Sequence, residues 1–289
     1  MKFRIVPIHP KSKEQGILYK DFYKLKESPF NITSDPDFFF SSSRHEEAFN
    51  HLIYGIGSRK GIIVITGEIG TGKTTLCRTL LNRLDKTVKT ALILNPNFSD
   101  LQLLQMIIND LDIRYTKRTK LDLVGAITMF LIEESSQGHN VAVIIDECQN
   151  LTLRQLEQIR LLSNLETEKE KLLQIILVGQ PELGEKLKNP ALRQLTQRVT
   201  VRYHILPLQK EEIGNYIAHR LKVAGADPKL HFTPQAIDAI FAVSQGTPRV
   251  INTLCDRALL AGFTKGTFTI DHSLVQESAK ETQFVYEHN

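Results

Sequence analysis

The sequence predicts a doubly wound α/β core built on a parallel sheet, followed by a small all-helical lid-like domain, and three observations carry that reading. Short apolar runs alternate with helical stretches as far as Pro207. Those runs are continuous rather than alternating, the pattern of strands covered by helices on both faces. Beyond Pro207 the strand pattern stops and only helical periods remain.

In chain order, residues 1–20 read as a basic arm, 21–206 as the α/β core and 207–289 as the helical domain. After a Phe- and Pro-rich stretch from Phe22 to Phe49, Arg44 to Ile56 reads as a helix. Gly61 to Thr66 is the first strand and Gly72 to Leu84 the helix after it. Thr90 to Asn95 is the second strand, and a helix starts at Ser99, where Ser99 and Gln102 have capping-box spacing. Lys120 to Gln137 is helical, and Val141 to Asp146 is the third strand. Thr152 and Gln155 cap the next helix, and Leu172 to Val178 and Thr200 to Ile205 complete the sheet. The helices of the second domain span Lys210 to Val223, Pro234 to Ser244, Pro248 to Phe263 and Asp271 to Thr282. Thr233-Pro234 and Thr247-Pro248 read as N-cap and first-turn proline pairs.

Composition narrows the class. With 289 residues, 42% hydrophobic and 24% charged, the chain is a globular protein large enough for a full α/β domain and a smaller one. No apolar run approaches the roughly 20 residues that span a bilayer, and Met1-Lys2-Phe3-Arg4 does not open a signal peptide, so a cytoplasmic location is expected. Cys77, Cys148 and Cys255 are far apart and read as core thiols in a reducing compartment. The histidines show no metal-site spacing. The net charge of +4 is concentrated in the first 26 residues, where seven Lys/Arg face only Glu14 and Asp21. The basic arm suits phosphate backbones or an anionic membrane surface, and equally a solvated terminus.

Gly67-Glu68-Ile69-Gly70-Thr71-Gly72-Lys73-Thr74 fits the phosphate-loop pattern G-x-x-x-x-G-K-[ST], directly after the apolar run Ile62 to Ile65. Its glycines let backbone N–H groups converge on phosphates, and the following helix adds its positive end. Gly67 through Thr75 are therefore the expected ATP-binding residues, with Lys73 on the β/γ-phosphates and Thr74 on Mg²⁺. Val141 to Glu147 is an apolar strand ending in two acids: Asp146 is expected to hold Mg²⁺ and Glu147 to activate the attacking water. Two acids at a strand end also suit ordinary helix N-terminal charges. The glutamate after the aspartate points to hydrolysis rather than binding alone.

Four further positions complete the expected site. Gln180, at the end of the strand Leu172 to Val178, is placed to contact the γ-phosphate or the water, although Gly179-Gln180-Pro181 also reads as a turn. Asn95 is a candidate for holding Glu147 in an inactive rotamer. Arg249 stands in the first turn of a helix, where the macrodipole disfavours a cation, so another role is expected, on the γ-phosphate. Arg198, with Arg193 as the second candidate, is expected to enter a neighbouring subunit's site as a finger. Asp35 to Phe40 with Arg44 suit either an adenine pocket or core packing. The basic loop Arg114 to Lys120 suits nucleic acid, an acidic partner or plain solvation.

Together these features resemble an AAA+ ATPase. Ser28-Pro29-Phe30-Asn31-Ile32-Thr33, the loop through Arg78, Leu162 to Thr167 and Val178 to Leu183 are similar to the ATPase A component of the general (type II) secretion pathway. The similarity extends to its relatives in mannose-sensitive pilus biogenesis and exopolysaccharide-associated secretion loci, and runs from Asp21 to Lys280. It implies a self-assembling ATPase, a ring or filament, that serves an envelope secretion or pilus machine through peripheral contact with the membrane. Lys73, Thr74, Asp146, Glu147, Gln180, Arg198 and Arg249 take the Walker A, Walker B, sensor 1, finger and sensor 2 roles. The secretion component typically continues into a transmembrane helix and a peptidoglycan-binding module. This chain stops after the helical domain, so the shorter pilus-type relatives are the better expected match. The same branch resembles the ATP-dependent target selectors of DNA transposition, the second reading; the near-neutral body and the lack of a winged-helix or helix-turn-helix extension weigh against it.

Overall fold

The computed structural model describes residues 19–94, 99–116, 119–168 and 170–286, in two compact units. One unit is Ser34–Pro207 and the other combines Met1–Thr33 with Leu208–Asn289.

The first unit is built on five parallel strands in the order β2-β3-β4-β1-β5. These are β1 (Ile62–Gly67), β2 (Val88–Ile93), β3 (Asn140–Ile145), β4 (Gln174–Gly179) and β5 (Val199–Ile205). Strands β3 and β4 are buried at every residue, which is why their sequences are apolar after the first residues, Asn140 and Gln174. Alternate side chains feed two cores. Val64, Val143, Ile145 and Leu177 pack with helices α3 (Asp100–Asp110), α4 (Lys120–Ser136) and α5 (Leu153–Leu162). Ile63, Ile65, Ile144 and Val178 pack on the other face with α1 (Ser43–Gly57) and α2 (Lys73–Arg83). Strand β5, at the edge, alternates in exposure.

Local signals formed as read. Ser99 with Gln102 and Thr152 with Gln155 make reciprocal capping boxes at the starts of α3 and α5. Two short helices are absent from the sequence reading: α6 (Pro181–Leu187) and α7 (Arg193–Gln197). Gly179-Gln180-Pro181 is therefore not a plain turn; Gln180 is the N-cap of α6 and Pro181 its first residue.

The second unit holds α8 (Lys210–Val223), α9 (Pro234–Ser244), α10 (Pro248–Thr264) and α11 (His272–Tyr286). It is not wholly helical: β6 (His231–Phe232) and β7 (Thr269–Ile270) form a two-residue parallel pairing. Residues that short carry no period to read. Thr233 caps α9 with its side chain as expected, whereas Thr247 makes no side-chain cap at α10.

The boundary expected at residue 21 is also corrected, because residues 19–33 belong with this unit. Tyr23 is fully buried, its hydroxyl 3.1 Å from the Leu259 carbonyl and 3.0 Å from that of Thr267. The buried Arg220 donates to the carbonyls of Pro29 (2.5 Å) and Asn31 (3.0 Å). Lys26 N–H donates to the Ala224 carbonyl. The Ser28–Thr33 segment is thus held through its backbone, a long-range docking that its own composition does not announce.

Candidate nucleotide site

The phosphate loop joins β1 to α2. Gly70 and Gly72 adopt positive φ (82° and 93°), which a side chain would resist. A Cβ on Gly67 would lie 2.8 Å from the Ile205 carbonyl oxygen, so the loop's first glycine is required by the closeness of β5. Gly72 caps α2 without a side chain, leaving the helix N-terminus facing the loop's concavity. Thr71 is fully buried and its hydroxyl donates to the Glu68 carbonyl at 2.9 Å.

Lys73 is almost fully buried and donates to the carbonyls of Gly67 (2.7 Å) and Glu68 (2.9 Å). Burial pushes its ammonium pKa down, and the nearby carboxylates of Asp146, Glu147 and Glu68 oppose that shift. The lysine is thereby held folded over the loop with three carboxylates near its charge.

Asp146 follows directly after β3 and is 1% exposed. Thr74 Oγ1 donates to its Oδ2 at 2.5 Å, and Glu147 N–H donates to its Oδ1 at 2.8 Å. Burial raises the Asp146 carboxyl, which those two hydrogen bonds partly offset. A buried carboxylate beside a threonine hydroxyl is a hard-oxygen pair of the kind that holds Mg²⁺ together with substrate phosphates. No cluster of three or more His, Cys, Asp or Glu capable of holding a metal occurs among the described residues.

Glu147 has φ +54°, an uncommon conformation for a non-glycine residue. Its Oε2 accepts from Gln149 Nε2 at 2.5 Å and from Gln180 Nε2 at 3.4 Å. The structure therefore brings together Lys73, Thr74, Asp146, Glu147 and Gln180, read from three separate stretches of sequence. Gln149 was not among the expected residues, and neither was His45. The His45 ring bonds the Thr71 carbonyl through Nε2 at 2.9 Å and Ser42 Oγ through Nδ1 at 2.6 Å, all in the interior. A carbonyl only accepts, so Nε2 carries a proton and donates it to Thr71.

Arg198 does not join this group. It precedes Val199, which pairs with Ile62 at the start of β1, whereas the loop follows Gly67 at the end of that strand. Five residue steps of about 3.3 Å put them about 17 Å apart along the sheet. Arg198 Nη1 instead donates to Ser163 Oγ at 3.5 Å. Arg193 is exposed at the start of α7. Arg249 is exposed in the first turn of α10, in the other unit. Asn95 lies outside the described residues, as do Lys117 and Arg118 of the basic loop. Tyr115 of that loop packs against the core. Phe38 is buried and Phe39 packs with the α1–α2 cluster, edge-on to His45 at 5.4 Å.

The family model described as the AAA domain matches residues 56–187, from the end of α1 to the end of α6. Residues 56–187 carry an AAA domain. It is 43% identical over 265 residues to General secretion pathway protein A of Aeromonas hydrophila, an alignment covering 91% of this chain and 48% of that protein. The chain thus spans about half the length of this relative. Among solved structures, Cdc6p of Pyrobaculum aerophilum is similar with a TM-score of 0.65 and 18% identity over 85% of this chain and 70% of that one. The ORC2 protein of Aeropyrum pernix, in ADPNP–ADP complexes, has a TM-score of 0.64 and 16% identity over 82% of this chain and 66% of its own. These likenesses show a shared fold alone. No described helix is long and apolar enough to cross a membrane.

Proposed function

We propose that this AAA+ domain hydrolyses ATP with Mg²⁺ as an assembly of its own copies, in support of an envelope secretion or pilus machine. The observation that carries the catalytic part is the convergence of Lys73, the Thr74–Asp146 pair and Glu147 at one loop. The identity to General secretion pathway protein A supports the pathway.

In this reading the loop N–H groups and the start of α2 receive the phosphates, and Lys73 leaves the Gly67 and Glu68 carbonyls for the β- and γ-phosphate oxygens. Thr74 and Asp146 are the Mg²⁺ holders, and the ion, when bound, neutralises charge developing on the β- and γ-oxygens. Glu147 takes a proton from a water as that water's oxygen bonds to the γ-phosphorus. The bond from the γ-phosphorus to the bridging oxygen breaks, and ADP and phosphate leave. Gln180 hydrogen-bonds the γ-phosphate, and Arg249 is the cation by which the helical unit answers to nucleotide. Arg198 stands at the end of the sheet away from its own loop, which suits a finger for a neighbouring copy rather than for its own site. The protein acts on the inner side of the plasma membrane by peripheral contact.

The test is steady-state hydrolysis measured against protein concentration, with and without duplex DNA. Specific activity that rises with concentration and ignores DNA is expected. Stimulation by DNA would instead favour a DNA-bound regulator, and a Glu147→Gln variant that hydrolyses at the wild-type rate would remove the base assignment.

A further inference from the structure

Gln149 lies just beyond the paired acids and belongs to none of the roles assigned above. Its carboxamide spans two groups. Nε2 donates to Oε2 of Glu147 at 2.5 Å, and Oε1 accepts from the backbone N–H of Gln180 at 3.0 Å. The surroundings are fitted to this position. Gly179 leaves space for it, since a Cβ there would lie 2.8 Å from Gln149 Oε1. Lys186 on α6 donates to the carbonyls of Gln149 and Leu151, pinning the turn that carries Gln149. Glu147 itself holds a left-handed conformation, which persists only where the surrounding structure over-determines it.

We propose that Gln149 is a positioning residue that ties the carboxylate of Glu147 to the end of β4, so that Glu147 and Gln180 move together. The proposal rests on the reading of Glu147 as the base. Gln149 and Gln180 both donate to the same oxygen, Oε2, which leaves Oε1 to accept the proton of the attacking water. A displacement of Gln180 on meeting a γ-phosphate passes through its backbone N–H to the carboxamide and on to the carboxylate. The strand end that meets the phosphate thereby sets the orientation of the base.

The test compares Gln149→Glu and Gln149→Met with wild type, in the whole chain, by kcat and KM for ATP at neutral pH, with Glu147→Gln alongside. Gln149→Glu keeps the acceptor for Gln180 N–H but sets a second carboxylate against Glu147. Its kcat at neutral pH is expected to fall by about tenfold or more. Gln149→Met, which cannot donate, lowers kcat comparably, and KM for ATP stays within about twofold in both variants. An unchanged kcat in Gln149→Glu overturns the proposal. So does a loss of ATP binding that matches the loss of kcat in both variants, which assigns Gln149 to loop folding alone. If Glu147→Gln is inactive while Gln149→Glu keeps the wild-type kcat, this proposal alone fails; if Glu147→Gln is fully active, the base assignment fails and this proposal with it.

Discussion

Replacing His45 by alanine removes the support beneath the phosphate loop. The Thr71 carbonyl, on a fully buried residue, loses the imidazole N–H that reaches it at 2.9 Å. A buried acceptor left without its donor costs about 1–3 kcal/mol. The edge-on contact with Phe39, rings 5.4 Å apart and nearly perpendicular, is lost as well and adds about 1 kcal/mol. The sum is about 3 kcal/mol, and at about 2–4 °C per kcal/mol for a unit of this size the melting transition falls by about 6–12 °C. The loop is also released from its bound shape, since the ring lies 3.1 Å from where a Gly72 Cβ would stand and borders the φ +93° turn. Affinity for a fluorescent ADP analogue is expected to weaken by about tenfold, the equivalent of 1.4 kcal/mol. Thermal unfolding followed by circular dichroism and a nucleotide titration are the assays, with His45→Gln expected to recover part of both losses through its amide N–H. A melting temperature within about 1 °C of wild type, together with unchanged affinity, would refute the reasoning.

Asp146→Asn keeps an acceptor for Glu147 N–H and a partner for Thr74, while removing a carboxylate that burial disfavours. Because the folded state raises this carboxyl, its stabilising contribution is full below the ordinary aspartate value of about 3.9 and lost as pH rises through the folded value. The nucleotide-free variant should therefore melt higher than wild type at pH 7, with a gain that shrinks as pH falls, and should lose Mg²⁺-ATP hydrolysis. In the helical unit, Gly246 has φ +78° and a Cβ there would lie 2.0 Å from the Leu208 carbonyl oxygen, so Gly246→Ala is expected to cost about 3 kcal/mol or more by chemical denaturation. Gly179→Ala, crowding Gln149 and Leu183, should lower stability by about 1–3 kcal/mol and reduce turnover.

What was readable in the sequence follows from how local each signal is. The loop from Gly67 to Thr74, the apolar strands and the capping boxes at Ser99 and Thr152 are written within a few residues, and the structure carries them at the expected places. Asp146 and Glu147 were legible because a buried parallel strand must deliver its terminal side chains to one edge of the sheet. His45 and Gln149 were not legible: each is a lone polar residue whose partner, Thr71 or Gln180, lies 26 or 31 residues away. The same is true of residues 19–33, whose attachment depends on Arg220 reaching two backbone carbonyls nearly 190 residues back. Helices α6 and α7 and strands β6 and β7 are too short to show a period.

In the proposed assembly, copies of this chain complete one another's sites through Arg198. The most direct measurement mixes two inactive variants, Glu147→Gln, which keeps Arg198 but lacks the base, and Arg198→Ala, which keeps the base but lacks the finger. Each alone should hydrolyse little ATP. Recovery of turnover on mixing, rising with total protein concentration, is the predicted result. A mixture no more active than its components, or an Arg198→Ala protein as active as wild type, would contradict the claim.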